Sequence, residues 1–359
     1  MKKTSEYIFT KILVLTLILL GFGLIMIYSA SVAEALRDFG TKWYFVSLQL
    51  KWAFIGVAIL LLASRVPPKA WEKYAPALLL LGLSLLILVV IPGIGAKVQG
   101  ARRWLVLPVG TLQPSELIKF IEVVYLSSLL SKKNVTVPQF LAFIGVIGGL
   151  IMLEPDLGTT IVVTLIAITM YYTSGHPLKN LAVIIGAGII AGTILIALAP
   201  YRLARLTTFL NPARDPLGSS YHIRQVILAL GSGGVGGVGI GKSRQKYEYL
   251  PESTTDSIFA VVGEEMGFIG AIILIAGFIY LISLLFRIAT RAKNTFSANL
   301  AGGIATWIGV QVTLNLAAMV ALTPLTGIPL PLVSYGGSAL VTVLLGIGAA
   351  LGVARNEKL

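Results

Sequence analysis

The stretch Lys242-Ser-Arg-Gln-Lys-Tyr-Glu248-Tyr-Leu-Pro251-Glu252-Ser-Thr-Thr-Asp256-Ser257 gathers bases, acids and aromatics directly before an apolar run that begins near Ile258. A carboxylate at Asp256 would sit where a polar substrate meets lipid, able to take a proton from a hydroxyl. An aspartate there is also an ordinary helix N-cap, and the residues alone leave both readings open. The chain has no cysteine and two histidines, His176 and His222. That excludes disulfides and thiolate sites and makes a histidine metal cluster or a serine–histidine triad improbable. Acid–base work near neutral pH therefore falls to Asp and Glu.

Other charges stand inside apolar runs, where they are costly unless they face a bundle interior or a wet cavity. Glu116, Lys119 and Glu122 follow one another at i, i+3 and i+6, roughly one helical face; Glu264 and Glu265 lie two turns into a later run. An ion pair of Lys119 with Glu264 or Glu265 is one reading, a polar substrate cavity the other. Glu154-Pro155-Asp156 marks a tight turn in which Asp156 can cap the next helix. Arg102 and Arg103 beside Trp104, and the basic residues Lys242, Arg244 and Lys246, are candidates for binding an anion such as a phosphate. Gly236-Gly-Val-Gly-Ile-Gly241-Lys242-Ser243 matches the P-loop pattern G-x-x-x-x-G-K-[ST]. Its neighbours lack the buried strand and helix that the pattern requires, so a close-packed backbone is expected there instead of nucleotide binding. Thr323 to Ser338 carries three prolines and three glycines between two apolar runs. Broken backbone at membrane depth survives only against protein or a water-filled cavity, which makes Ser334 and Tyr335 lining candidates.

The elements that position these groups are membrane spans. Of 359 residues, 56% are hydrophobic and 12% charged, and the mean hydropathy is +0.90; soluble domains carry about 25% charge. Runs near 10–31, 43–64, 75–92, 113–131, 137–153, 157–174, 179–199, 258–286, 298–323 and 333–354 each approach the roughly 20 residues of a spanning helix. The expected fold is an all-α integral membrane protein of about ten transmembrane helices, residues 1–359 forming a single polytopic domain with a large extracytoplasmic loop at about 200–257. Ser31-Val32-Ala33 resembles a signal-peptide cleavage site, but the apolar stretch before it is longer than usual, and a retained first helix is expected. Alternate loops hold Arg65, Lys69 and Lys73; Lys132 and Lys133; Lys179; and Arg287, Arg291 and Lys293, while the C-terminal tail adds Arg355 and Lys358. This positive-inside pattern places both termini in the cytoplasm. The net charge of +13 is thereby mostly topological, and no nucleic-acid partner is expected.

Taken together, the motifs resemble the SEDS family of membrane peptidoglycan polymerases, which includes FtsW, RodA and SpoVE. The resemblance rests on Tyr28-Ser-Ala-Ser31, Gly100-Ala-Arg-Arg-Trp104, Gln113-Pro-Ser-Glu116 with Lys119, and Glu154-Pro-Asp-Leu-Gly-Thr159. It continues through Gly231-Ser-Gly-Gly234, Tyr249-Leu-Pro-Glu252 to Asp256, Glu264-Glu265, Asn315 and Pro329 to Ser338. Ser243 to Glu252 is more similar to the FtsW and SpoVE branch than to RodA, and Ser257 stands where relatives often carry an aromatic residue. The resemblance implies polymerisation of lipid II into glycan strands at the outer face of the cytoplasmic membrane, in cell division and at the septum; elongation or sporulation are the alternatives. It implies Asp256 as catalytic base; the residues themselves add Arg102, Arg103, Lys242, Arg244 and Lys246 as cations for the leaving diphosphate, and Glu116, Lys119, Glu248, Glu252, Ser334 and Tyr335 as further substrate-binding candidates. It further implies a divalent cation (Mg or Mn) of unassigned ligands, and an FtsI-like class B penicillin-binding transpeptidase as partner, beside lipid II, the growing strand and membrane lipid. A lipid flippase or transporter and a non-catalytic division scaffold are the rival readings.

Overall fold

In lipid every backbone N–H and C=O must be satisfied within the chain, so long apolar runs become helices. The computed structural model describes residues 2–98, 100–108, 110–132, 135–211, 220–247 and 250–357. In chain order its elements are α1 (Lys2–Phe39), α2 (Tyr44–Ala63), α3 (Pro68–Val90), the strands β1 (Gly95–Val98), β2 (Ala101–Leu107) and β3 (Gly110–Leu112), α4 (Pro114–Leu130), α5 (Val137–Leu153), α6 (Leu157–Thr173), α7 (Leu178–Ala197), α8 (Pro200–Leu210), α9 (Tyr221–Gly233), α10 (Ile258–Arg291), α11 (Thr295–Met319) and α12 (Gly337–Asn356). Each of the ten expected runs is a helix. Seven of them, α1 to α3, α7 and α10 to α12, have the length and apolarity to cross a membrane; α5 and α6 are shorter apolar helices, and α4 carries the three charges read from the sequence. The chain is a multi-pass membrane protein.

Helix ends follow local chemistry. Asp156 caps α6, accepting from the Thr159 N–H at 2.9 Å. Thr136 and Gln139 close a reciprocal capping box at the start of α5. α11 and α12 pack at the centre with α4, α10 and α2, whereas α7 buries only Ile184 among its side chains. α12 fits closely against α2 because Gly348 has no side chain: a Cβ there would lie 2.5 Å from the Leu60 carbonyl oxygen.

Since the helices alternate in direction, one end of the bundle collects the α1–α2 turn, residues 91–113, the α5–α6 turn, residues 198–257 and residues 320–336. Two of these segments differ from plain loops. The three strands form an antiparallel sheet of order β1-β2-β3, with Ala96 opposite Trp104, Lys97 opposite Arg102 and an irregularity between them. The long segment 200–257 contains α8 and α9. α8 has no buried residue; it sets Tyr201, Leu203 and Leu210 outward alongside Arg202 and Arg205, as a helix lying in a membrane surface does.

α10 is two helices joined at a break. Gly267 has φ 66° and ψ −164°, a conformation open to glycine. The freed carbonyls and N–H groups are taken by residues 234–239: Val238 N–H donates to Glu264 O (3.0 Å), Gly239 N–H to Glu265 O (3.0 Å), and Phe268 N–H to Gly234 O (2.9 Å). The glycine-rich stretch is thus a backbone clamp on α10.

Candidate active site

Asp256 is the penultimate residue before α10 and is buried, at 8% exposure. It does not cap that helix: Ser257 occupies the N-cap position and makes no side-chain cap bond. The cap reading is therefore corrected. A run of turns carries residues 251–257, with Glu252 held at φ 50°, and this turn is clasped by the proline-rich segment. Asn315 on α11 donates through Nδ2 to the carbonyl oxygens of Asp256 and Ile328, both at 2.8 Å. Ser334 Oγ donates to Thr255 O and accepts from Leu330 N–H, and Tyr335 N–H donates to Thr254 O at 2.8 Å. Gln49 on α2 reaches Ser334 O and Gly336 N–H from the other side. The backbone around the aspartate is fixed by α11 and by the proline-rich segment, which α2 braces, and its carboxylate accepts from a backbone N–H and, at a long 3.4 Å, from Thr255 Oγ1.

That environment makes Asp256 a base of near-neutral strength. Burial first, then the neighbouring Glu252 carboxylate, push it up from 3.8 to about 7, and the Arg205 guanidinium opposes the rise. His222 on α9 stands in the same group. Its Nε2 is 2.7 Å from Ser257 Oγ; burial holds the imidazole below its ordinary value, against the pull of Glu252.

The predicted cations divide into two kinds. Lys242 and Arg244 are exposed and Arg102 half-buried. Arg103 is committed to the chain itself, donating to Glu154 O at 2.8 Å and Pro155 O at 2.6 Å. Lys246 is buried at 5%, its Nζ bonded to Ser29 Oγ (3.1 Å), Gly241 O (2.7 Å) and Glu265 Oε1 (3.0 Å). Glu264 accepts from Ser243 Oγ, Arg244 N–H (2.9 Å) and Gln245 N–H (3.4 Å). The P-loop-like motif therefore wraps the chain's own carboxylate.

The pairing of Lys119 with Glu264 or Glu265 is also corrected. Lys119 Nζ meets Glu116 Oε1 at 2.7 Å and Gln311 Oε1 at 3.1 Å, all within the bundle. Gln311 in turn donates to Pro329 O at 3.0 Å, which links this pair to the segment clasping Asp256. Glu116 and Lys119 are 3% and 1% exposed. Tyr335 is half-buried, its ring edge-on to Phe45 at 5.3 Å. Glu248 lies outside the described residues, as do Tyr249, Lys133, Arg214 and Lys358. Nothing in the spacing of Arg205 and His222 relates them to Asp256; their placement on α8 and α9 does. Among the described residues no three His, Asp or Glu side chains are placed to hold a metal ion; Glu252 and Asp256 supply two carboxylates, which do not by themselves make a metal centre.

The family model for FtsW, RodA and SpoVE, described as cell cycle protein, matches residues 10–359. The chain belongs to this family. It is 41% identical over 359 residues to a probable peptidoglycan glycosyltransferase FtsW of Coxiella burnetii, covering 97% of this chain and 96% of that one. It is 38% identical to the stage V sporulation protein E of Bacillus subtilis, covering 99% of both. Among solved structures it resembles a chain of a peptidoglycan synthase complex that coordinates polymerization and crosslinking (TM-score 0.80, 27% identity, 97% of both chains). It also resembles the rod shape determining protein RodA of Thermus thermophilus (TM-score 0.72, 26% identity, 97% of both). The clasped aspartate, the α10 break and the sheet all lie within the matched residues.

Proposed function

We propose that this protein is a peptidoglycan glycosyltransferase that polymerises lipid II in cell division. The observation that carries the reading is the buried, backbone-clasped Asp256 with its near-neutral proton affinity at the membrane surface. Asp256 takes the proton of the acceptor sugar hydroxyl; the oxygen attacks the anomeric carbon of the donor, and the bond to the diphosphate-lipid breaks. The leaving diphosphate carries the developing negative charge and calls for cations. Arg205, Lys242, Arg244 and Arg102 are suited to that task, because Arg103 and Lys246 are held by internal acceptors. Glu116 and Lys119 form a buried pair within the bundle, and Gln311, which contacts that pair, makes the bond to Pro329 in the segment clasping Asp256. Glu252 tunes Asp256.

The face bearing Asp256 is assigned to the outside of the cytoplasmic membrane, with both termini cytoplasmic and the protein at the septum. The relatives named FtsW support the division role, and the solved synthase complex supports an FtsI-like class B transpeptidase as partner. A divalent cation is carried as a proposal to be read by adding and chelating Mg or Mn during polymerisation. The decisive experiment is polymerisation of purified lipid II by Asp256→Asn, expected to give no glycan from a folded protein; near-normal polymer removes Asp256 from the base role. The chain has no native cysteine, so single cysteines at 102 and 256 report sidedness directly, and labelling from the cytosolic side alone would reverse the orientation. A flippase would relocate labelled lipid II without making glycan.

A further inference from the structure

A second polar–apolar junction lies at the opposite end of the bundle from Asp256. The start of α5 and the residues that follow α4 form the mouth of a groove of about 580 Å³, running between α3, α4 and α5. Leu79, Leu83, Leu129, Phe143 and Ile147 wall it, and Lys132 and Gln139 stand at its mouth. The volume falls within the roughly 300–1,000 Å³ of sites that enclose a small ligand. From Gln139 to Ile147 the groove descends about 12 Å at 1.5 Å per residue. That is close to one leaflet of a hydrocarbon core about 30 Å thick. The shape therefore matches one acyl chain entering from the headgroup layer. The floor is firm: Phe143 stacks on Tyr125 with ring centroids 5.0 Å apart, and Ile147 is buried. Lys132 is exposed and has no acidic partner among the described residues.

We propose that this groove is a binding site for one anionic phospholipid, its acyl chain in the groove and its phosphate on Lys132. Basic pockets between membrane helices recognise such headgroups by charge, and an apolar channel beneath the ammonium adds the chain. Zwitterionic lipid would fill the same channel, but the cation of its own headgroup would offset the attraction between its phosphate and Lys132. The inference is independent of the catalytic reading, since it concerns a face that carries none of the site residues. The test is native mass spectrometry of the full-length protein with phosphatidylglycerol or phosphatidylcholine of identical chains. Phosphatidylglycerol is expected to be retained preferentially. Lys132→Glu should weaken its retention by roughly five-fold or more while changing that of phosphatidylcholine far less. Ala142→Trp, at an exposed groove position, should displace both lipids. Equal retention of the two lipids by the parent protein, or a preference that survives both substitutions, overturns the proposal.

Discussion

Replacing Lys119 separates a structural ion pair from a substrate contact. Lys119→Met keeps the length of the side chain and removes its charge. Glu116 would then keep a carboxylate in a site 3% exposed, having lost the ammonium at 2.7 Å; its Oε2 has no partner among the described residues. Breaking a buried pair from one side costs about 3–5 kcal/mol, because the remaining charge is uncompensated. Gln311 softens the loss only for itself: its Oε1 still accepts from Trp307 Nε1 at 3.0 Å. The double variant Glu116→Leu with Lys119→Met removes both charges and should recover to within about 1 kcal/mol of the parent, as apolar replacements of buried pairs do. Equilibrium unfolding in mixed micelles, followed by tryptophan fluorescence, measures both. The double variant should also retain most lipid II turnover, since Gln311 still reaches Pro329 O. A double variant as unstable as the single one refutes the reasoning. A fully stable Lys119→Met that has lost polymerisation refutes it from the other side, by showing that the ammonium meets substrate.

Three further outcomes are expected. Asp256 must be deprotonated to act as base, so the polymerisation rate should rise with pH through about 7 and level off above; Glu252→Gln removes a like charge and should move that limb to lower pH in initial-rate profiles. Because Asp256 is raised in the folded state, its contribution to stability falls as pH climbs from about 4 to about 7. Asp256→Asn should therefore be more stable than the parent at pH 8, by up to about 4 kcal/mol at 1.36 kcal/mol per unit between 3.8 and about 7, a gain that should shrink to about 2 kcal/mol when unfolding is followed at pH 5. Gly267→Ala puts a Cβ 2.3 Å from Gly237 N at a φ of +66° and should lower stability by about 3 kcal/mol or more, read as a lower midpoint in the same unfolding assay.

The helices were legible because lipid leaves the chain few choices: an apolar run of the right length has to be a helix, and the ten runs fell where the structure has them. Asp156 as a cap followed from its position before an apolar run, but the same logic left a cap and a base equally open for Asp256, whose carbonyl is taken by Asn315 59 residues away. The sheet of residues 95–112 was hidden because three short strands lack clear alternation and are rich in positive charge. The partners of Lys119 and Lys246 depended on which helix faces which, and both Glu116 and Glu265 were acceptable by charge alone. Helix faces are decided by packing, as at Gly348 against Leu60, and one sequence does not show that packing.

Glu264 seated on the Ser243 hydroxyl and the N–H groups of Arg244 and Gln245 has a consequence for anions in general. A loop of this kind binds an incoming phosphate when it is vacant, whereas here the occupant is tethered and never diffuses away. A free anion would compete against a group whose effective concentration is set by the covalent chain and not by the solution. The loop behaves as a fastener joining the outer segment to the fractured helix, and salt strong enough to strip exposed arginines of their ligands should leave it closed.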